Sequence, residues 1–118
     1  MTLSSKNNYG GKKFDGCGSD GNPMKLRWDL VPWESVEEIV KIYTHGAIKY
    51  GDNQWQGVEP DRYFGALMRH LIAWRKGEIK DPDSGLPHLA HVGWNIFALL
   101  WFEINKEARD EPESEQQV

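Results

Sequence analysis

Asp81-Pro82-Asp83-Ser84-Gly85-Leu86-Pro87-His88-Leu89-Ala90-His91-Val92-Gly93-Trp94-Asn95 is the stretch on which the fold of this 118-residue chain turns. Pro82, Gly85 and Pro87 punctuate a turn, and Asp83 or Ser84 is placed to cap a helix just beyond it. Pro87 suits the first turn of a helix, where its missing N–H has no partner to lose. A helix therefore starts close to His88. His88, His91 and Asn95 then stand three and four apart and project from one helical face, with Leu89, Val92, Ile96 and Leu99 as apolar neighbours. Two imidazoles three apart suit metal ligation, but two ligands do not complete a metal site, so further donors must come from elsewhere in the chain.

The third helix continues from there through Ile96 to about Ala108. Between Val92 and Phe102 it is apolar nearly all round, which predicts the central, most buried helix. Polar side chains on such a helix need partners, because an unpaired buried polar group costs about 1–3 kcal/mol.

Upstream, Trp33, Val36, Val40, Tyr43, Ala47 and Tyr50 follow a three-four alternation, which predicts a first helix over 33–50 stopped by Gly51. Its first turns carry Glu34, Glu37 and Glu38, where the helix dipole favours carboxylates. The plain reading is a solvated acidic face; the sharper one has Glu34 and Glu38, four apart, converging on a divalent cation. A loop over 51–57 leads to Pro60 and a second helix, whose buried stripe is Tyr63, Leu67, Leu71 and Trp74 and whose stop is Gly77. His70 falls beside that stripe and by position alone reads as a core histidine bonded to backbone. Arg62 and Arg69, two turns apart, form either a solvated edge or a fork for phosphate oxygens.

Residues 1–25 are rich in Gly, Ser and Asn and read as a flexible arm; Lys12 and Lys13 are not followed by the Gly-Lys-Ser/Thr sequence of a phosphate loop. The domain proper is expected over 26–108, and 109–118 is an acidic, non-periodic tail. No alternation of β-branched residues announces a strand, so the expected fold is all-α: a compact bundle of three main helices, with room for a short fourth.

Bulk properties narrow the function. Net charge is −4, which argues against a nucleic-acid polymer as partner while leaving single nucleotides open. Cys17 is the only cysteine, which fits a reducing, cytoplasmic setting, and no apolar run approaches a membrane span. Six Trp on a chain with only three main helices predict aromatic surface left over for a homo-oligomer.

Four segments then carry a resemblance: Arg27-Trp28-Asp29-Leu30-Val31-Pro32-Trp33, Gly46-Ala47-Ile48-Lys49-Tyr50-Gly51-Asp52-Asn53-Gln54-Trp55, Arg69-His70-Leu71, and Asp83-Ser84-Gly85-Leu86-Pro87-His88-Leu89-Ala90-His91. Together they closely resemble the phage family described as dATP/dGTP diphosphohydrolase N-terminal domains, over roughly residues 25–105. The resemblance implies hydrolysis of a deoxypurine triphosphate to monophosphate and pyrophosphate, in the manner of the MazG-like all-α pyrophosphohydrolases. Those enzymes hold divalent ions with a Glu-x-x-Glu pair on one helix and a Glu-x-x-Asp pair on a later one. Glu34-x-x-Glu37, with Glu38 beside it, matches the first pair, whereas His88-x-x-His91 stands where the second would fall. The implied ion is Mg²⁺ or Mn²⁺, with Co²⁺, Ni²⁺ or Zn²⁺ favoured by the imidazoles. In an alternative arrangement the histidines meet phosphate and carboxylates including Asp81 or Asp83 hold the ion.

On that basis Glu34, Glu37, Glu38, His88 and His91 are the expected metal ligands. Glu38 or His70 is the expected base. Lys49, Arg62 and Arg69 would clamp phosphates, Tyr50 and Asn95 would complete the substrate contacts, and Asn53 and Trp55 would meet the purine. Trp55 reads equally well as a loop anchor in the core. The rival function is a nucleotide-binding protein without turnover, which sequesters a signal or a pool with the same cationic and imidazole side chains. A structural metal site in an interaction module is a weaker third reading, since such Zn²⁺ sites normally use thiolates.

Overall fold

The structure, a computed structural model, describes residues 14–106. The expected arm lies outside the described residues as far as residue 13, Lys12 and Lys13 included, and the acidic tail lies outside them entirely. Backbone contacts divide the chain into a unit ending at Val31 and one beginning at Pro32. The first is held by local turns: Gly18 N–H donates to Asn22 O, Met24 N–H to Gly16 O, and Arg27 forks onto Asp29 at 2.8 Å. It closes with a single 3₁₀ turn, Trp28–Leu30.

The second unit is three α-helices, α1 (Trp33–Tyr50), α2 (Pro60–Arg75) and α3 (His88–Ile104), with a 3₁₀ turn at Gln54–Gly57. Among the described residues the extended pairing amounts to isolated bridges, so the fold is all-α as expected. The helix limits obey local chemistry. α1 starts after Pro32 and stops at Gly51, whose φ of 103° a side chain would resist. α2 takes Pro60 in its first turn and is followed by Gly77 at φ 108°. α3 begins at His88, but neither Asp83 nor Ser84 caps it: Pro87 holds the N-cap position without a side-chain bond, and the His88 N–H is met by the Ile79 carbonyl instead. It ends at Ile104, short of the expected 108, where the Asn105 amide bonds back to the Trp101 carbonyl.

α3 is the central helix. It packs on α2 and on α1, and among the described residues it carries all the buried side chains: His88, Ala90, Val92, Asn95, Ala98 and Phe102. It is not covered all round, since Leu89, Ile96, Phe97, Leu100 and Ile104 form an exposed apolar face. α1 docks by part of the stripe its periodicity suggested, with Ile39 added to it. Trp33, Val40 and Tyr50 are exposed, while Val36, Ile39, Tyr43 and Ala47 turn inward. Ile39 packs against Gly93: a Cβ there would stand 2.7 Å from Ile39 Cδ1, so the bare backbone of α3 lets α1 come close at that point.

Aromatic rings tie the elements together. Trp55 lies edge-on to Trp94 (5.9 Å), Trp101 (5.2 Å) and Tyr43 (6.1 Å), and Tyr63 donates its hydroxyl to the Trp55 carbonyl at 2.6 Å. Each such ring pair is worth about 0.5–1.5 kcal/mol beyond the area it buries. Trp55 is therefore a loop anchor in the core. Among the described residues no helix is long and apolar enough to cross a membrane.

Candidate functional site

The polar side chains gather at the opposite end of α3 from Phe102. The connection from α2 to α3 doubles back on itself: Lys80 bridges Pro87, Asp81 N–H donates to Leu86 O, and Gly85 N–H donates to Asp81 O. That return sets Glu78, Asp81 and Ser84 beside the first turn of α3, and α2 contributes His70 from its third turn.

Three imidazoles touch, and Glu78, Ser84 and Asp81 come up to them. His70 Nδ1 and His88 Nδ1 are 2.9 Å apart, and the His70 ring stacks on His91 at 4.3 Å and 7° from parallel. His88, only 3% exposed, meets the Glu78 carboxylate at 2.8 Å through its other nitrogen, Nε2. His91 Nε2 lies 2.8 Å from Ser84 Oγ and 3.9 Å from Asp81 Oδ2. Ligand atoms of His70, Asp81 and His88 all fall within 4.8 Å of one another, the one such grouping of metal-ligating side chains among the described residues.

The electrostatics keep donors available. Burial pushes the His70 imidazole down, His91, His88 and Arg69 add to that, and Asp81 opposes it. Burial likewise lowers His91 against the pull of Asp81, with His88 and His45 on α1 adding to the lowering. Burial raises Asp81, but the Ser84 N–H and hydroxyl, with His91 and His70, outweigh it and hold the carboxyl below its usual range. Neutral imidazoles beside an ionised carboxylate make a mixed nitrogen and oxygen donor set, which suits a first-row divalent ion. A serine nucleophile fits less well. Asp81 approaches the same nitrogen of His91 that Ser84 meets, whereas a triad needs the acid on the other nitrogen.

The α1 carboxylates are not part of this group. Glu34 and Glu37 are exposed, and Glu38 accepts from Lys41 Nζ at 2.8 Å on the helix surface. Their place in the first turns of α1 is accounted for by the dipole of that helix. His45 is the α1 side chain whose charge reaches the cluster. Of the expected substrate contacts, Arg69 is exposed and near enough for its charge to act on His70. Arg62 and Asn53 are exposed, Asn53 at φ 59°, and Lys49 Nζ lies 5.2 Å above the ring of exposed Tyr50. Asn95 is buried and donates to the His91 carbonyl at 2.7 Å, bracing the helix behind the imidazole; its Oδ1 has no protein partner. Trp55 is partly exposed and makes edge-type contacts with the core rings.

Glu78 and His45 give no signal along the sequence, where Ser84 offers itself only as a cap. Helical spacing cannot relate Glu78 to His88, because the ten-residue separation between them is spanned by loop.

A profile of the family described as dATP/dGTP diphosphohydrolase, N-terminal, matches residues 16–111. A dATP/dGTP diphosphohydrolase of Salmonella phage PMBT28 is 31% identical over 87 residues, which cover 74% of this chain and 30% of that relative. The chain thus spans about a third of the length of the curated protein it matches. No solved structure matches.

Proposed function

This chain belongs to the dATP/dGTP diphosphohydrolase N-terminal family, and on that ground we propose that it hydrolyses a deoxypurine nucleoside triphosphate. Water adds to the α-phosphorus, the bond to the bridging oxygen breaks, and a monophosphate and pyrophosphate leave. The observation that carries the reading is the convergence of His70, Asp81, His88 and His91 from two helices and a loop.

The donor set fits a divalent ion. His70, Asp81 and His88 would hold it, in place of the α1 glutamates. When bound, such an ion supplies charge neutralisation at phosphate oxygens and a more acidic water. The chain's own contribution is positioning and proton transfer. His91, kept neutral by burial, accepts the proton of the attacking water, and Arg69 holds the phosphates at the rim. Ser84 and Asp81 fix the orientation of His91. We place the reaction in the cytoplasm, consistent with an exposed free thiol at Cys17.

We also propose a homo-oligomer. The exposed face of α3 adjoins an open groove of about 640 Å³ whose apolar floor is Pro60, Ile96, Leu99, Leu100 and Phe102 and whose edge carries Glu103 and Lys106, an arrangement suited to a protein surface.

The test is a panel of deoxynucleoside and ribonucleoside triphosphates with Mg²⁺, Mn²⁺, Co²⁺ or Zn²⁺, followed by phosphorus NMR. Pyrophosphate released from dATP or dGTP, and abolished by a chelator, is the expected result. Intact nucleotide recovered bound to the protein would replace hydrolysis with sequestration.

A further inference from the structure

We propose that Glu78 is a positioning residue for the metal group: it dictates which nitrogen of His88 faces His70 and Asp81 as a ligand. The proposal rests on the reading that this cluster holds a divalent ion.

Proton placement assigns the role. A carboxylate can only accept, so Glu78 Oε1 at 2.8 Å from His88 Nε2 puts the hydrogen on Nε2. In the neutral ring the lone pair is then on Nδ1, which stands 2.9 Å from His70 Nδ1. Opposite a neutral His88 and without an ion, His70 is the donor in that contact and carries its hydrogen on Nδ1. The two rings are therefore not equivalent. His88 already presents a lone pair to the group, whereas His70 must move its hydrogen from Nδ1 to Nε2 before it ligates through Nδ1, and it remains neutral throughout. A carboxylate behind a ligating histidine is a recurring way to fix tautomer and raise donor strength.

The backbone makes the contact a built one. Glu78 N–H is held by the Ala73 carbonyl at the end of α2, and the neighbouring Ile79 carbonyl accepts the His88 N–H. Glu78 and His88 are thereby pinned side by side where α2 ends and α3 begins. Burial of the His88 ring, 4% exposed against 52% for the Glu78 side chain, leaves Nε2 few other acceptors.

The experiment uses the full chain and two readouts that need no nucleotide. Visible absorption tracks Co²⁺ binding to wild type, Glu78→Ala, Glu78→Gln and, as a control for loss of charge in the same loop, Asp83→Asn. Glu78→Ala should bind Co²⁺ about 10- to 100-fold more weakly with unchanged helix content, Glu78→Gln should lose less, and Asp83→Asn should match wild type. Long-range nitrogen–proton NMR should show His88 with its hydrogen on Nε2 before and after Zn²⁺ is added, and His70 changing tautomer. Equal affinity for wild type and Glu78→Ala, or His88 protonated on Nδ1 in the wild type, overturns the role of Glu78 and leaves the metal site standing. A wild type that binds neither Co²⁺ nor Zn²⁺ overturns both.

Discussion

α1 and α3 both open on side chains that a metal would welcome, and only one of the two openings is folded into the protein. Glu34 and Glu37 lie in solvent, and Glu38 is paired with Lys41 on the surface. His88 and His91 are engaged by Glu78, His70 and Ser84. The contrast teaches that ligand-like spacing has a different value in different surroundings. Acids at a helix start are stabilised by the dipole whatever else they do, so their presence there carries little information. Polar rings on a buried helix must be satisfied, so their presence demands partners, and the loop supplies them.

The largest effect should come from removing the shared ring. His88→Ala takes a partner from both His70 and Glu78, and should cost about 1–3 kcal/mol of stability through the part-buried His70 nitrogen left unpaired, together with any ion binding. Urea denaturation with Co²⁺ titration measures both; a variant that binds the ion normally would erase the contrast. His91→Gln should come next, lowering kcat by about 10²–10⁴-fold if this ring takes the proton in hydrolysis, with KM little changed. A change confined to KM would move His91 to substrate binding.

Acid should weaken the imidazole cluster. His70 and His91 have folded-state pKa values below the ordinary histidine value, so the unfolded chain takes up protons more readily than the folded one. Stability is therefore fully present above the unfolded value of about 6.5 and declines as pH falls through it toward the lowered folded values. Thermal melts from about pH 7.5 down to about pH 5 should show a falling Tm, and a double His70→Gln, His91→Gln variant should show a flatter one. The smallest effect belongs to α1: Glu34→Gln with Glu37→Gln should leave turnover far closer to wild type than His91→Gln does. A loss as deep as that of His91→Gln would return the carboxylates to the site.

A separate substitution probes the seam between the two helices. Gly93→Leu forces a side chain into the space taken by Ile39 and should cost about 1–3 kcal/mol by overpacking, read in the same denaturation series.

Most of the helical architecture could be read along the chain. Gly51, Pro60, Gly77 and Pro87 mark helix limits through backbone preferences that act within a turn, and those limits hold without reference to the rest of the molecule. The stripe Tyr63, Leu67, Leu71, Trp74 turns inward for a similarly local reason. On α1, Val36, Tyr43 and Ala47 could be read but Ile39 could not, because its seat is the missing side chain at Gly93, far along the chain. For the site, His88 and His91 announced themselves by spacing, and His70 did not, since a histidine beside a buried stripe looks the same whether it bonds to backbone or to another imidazole. Glu78, Asp81 and Ser84 join the histidines through a loop that folds back by its own hydrogen bonds. Residue order along the chain is enough to set local hydrogen bonding and amphipathic period, whereas which helix faces meet, and which acids come to lie against the imidazoles, depends on packing between distant parts that no local preference encodes.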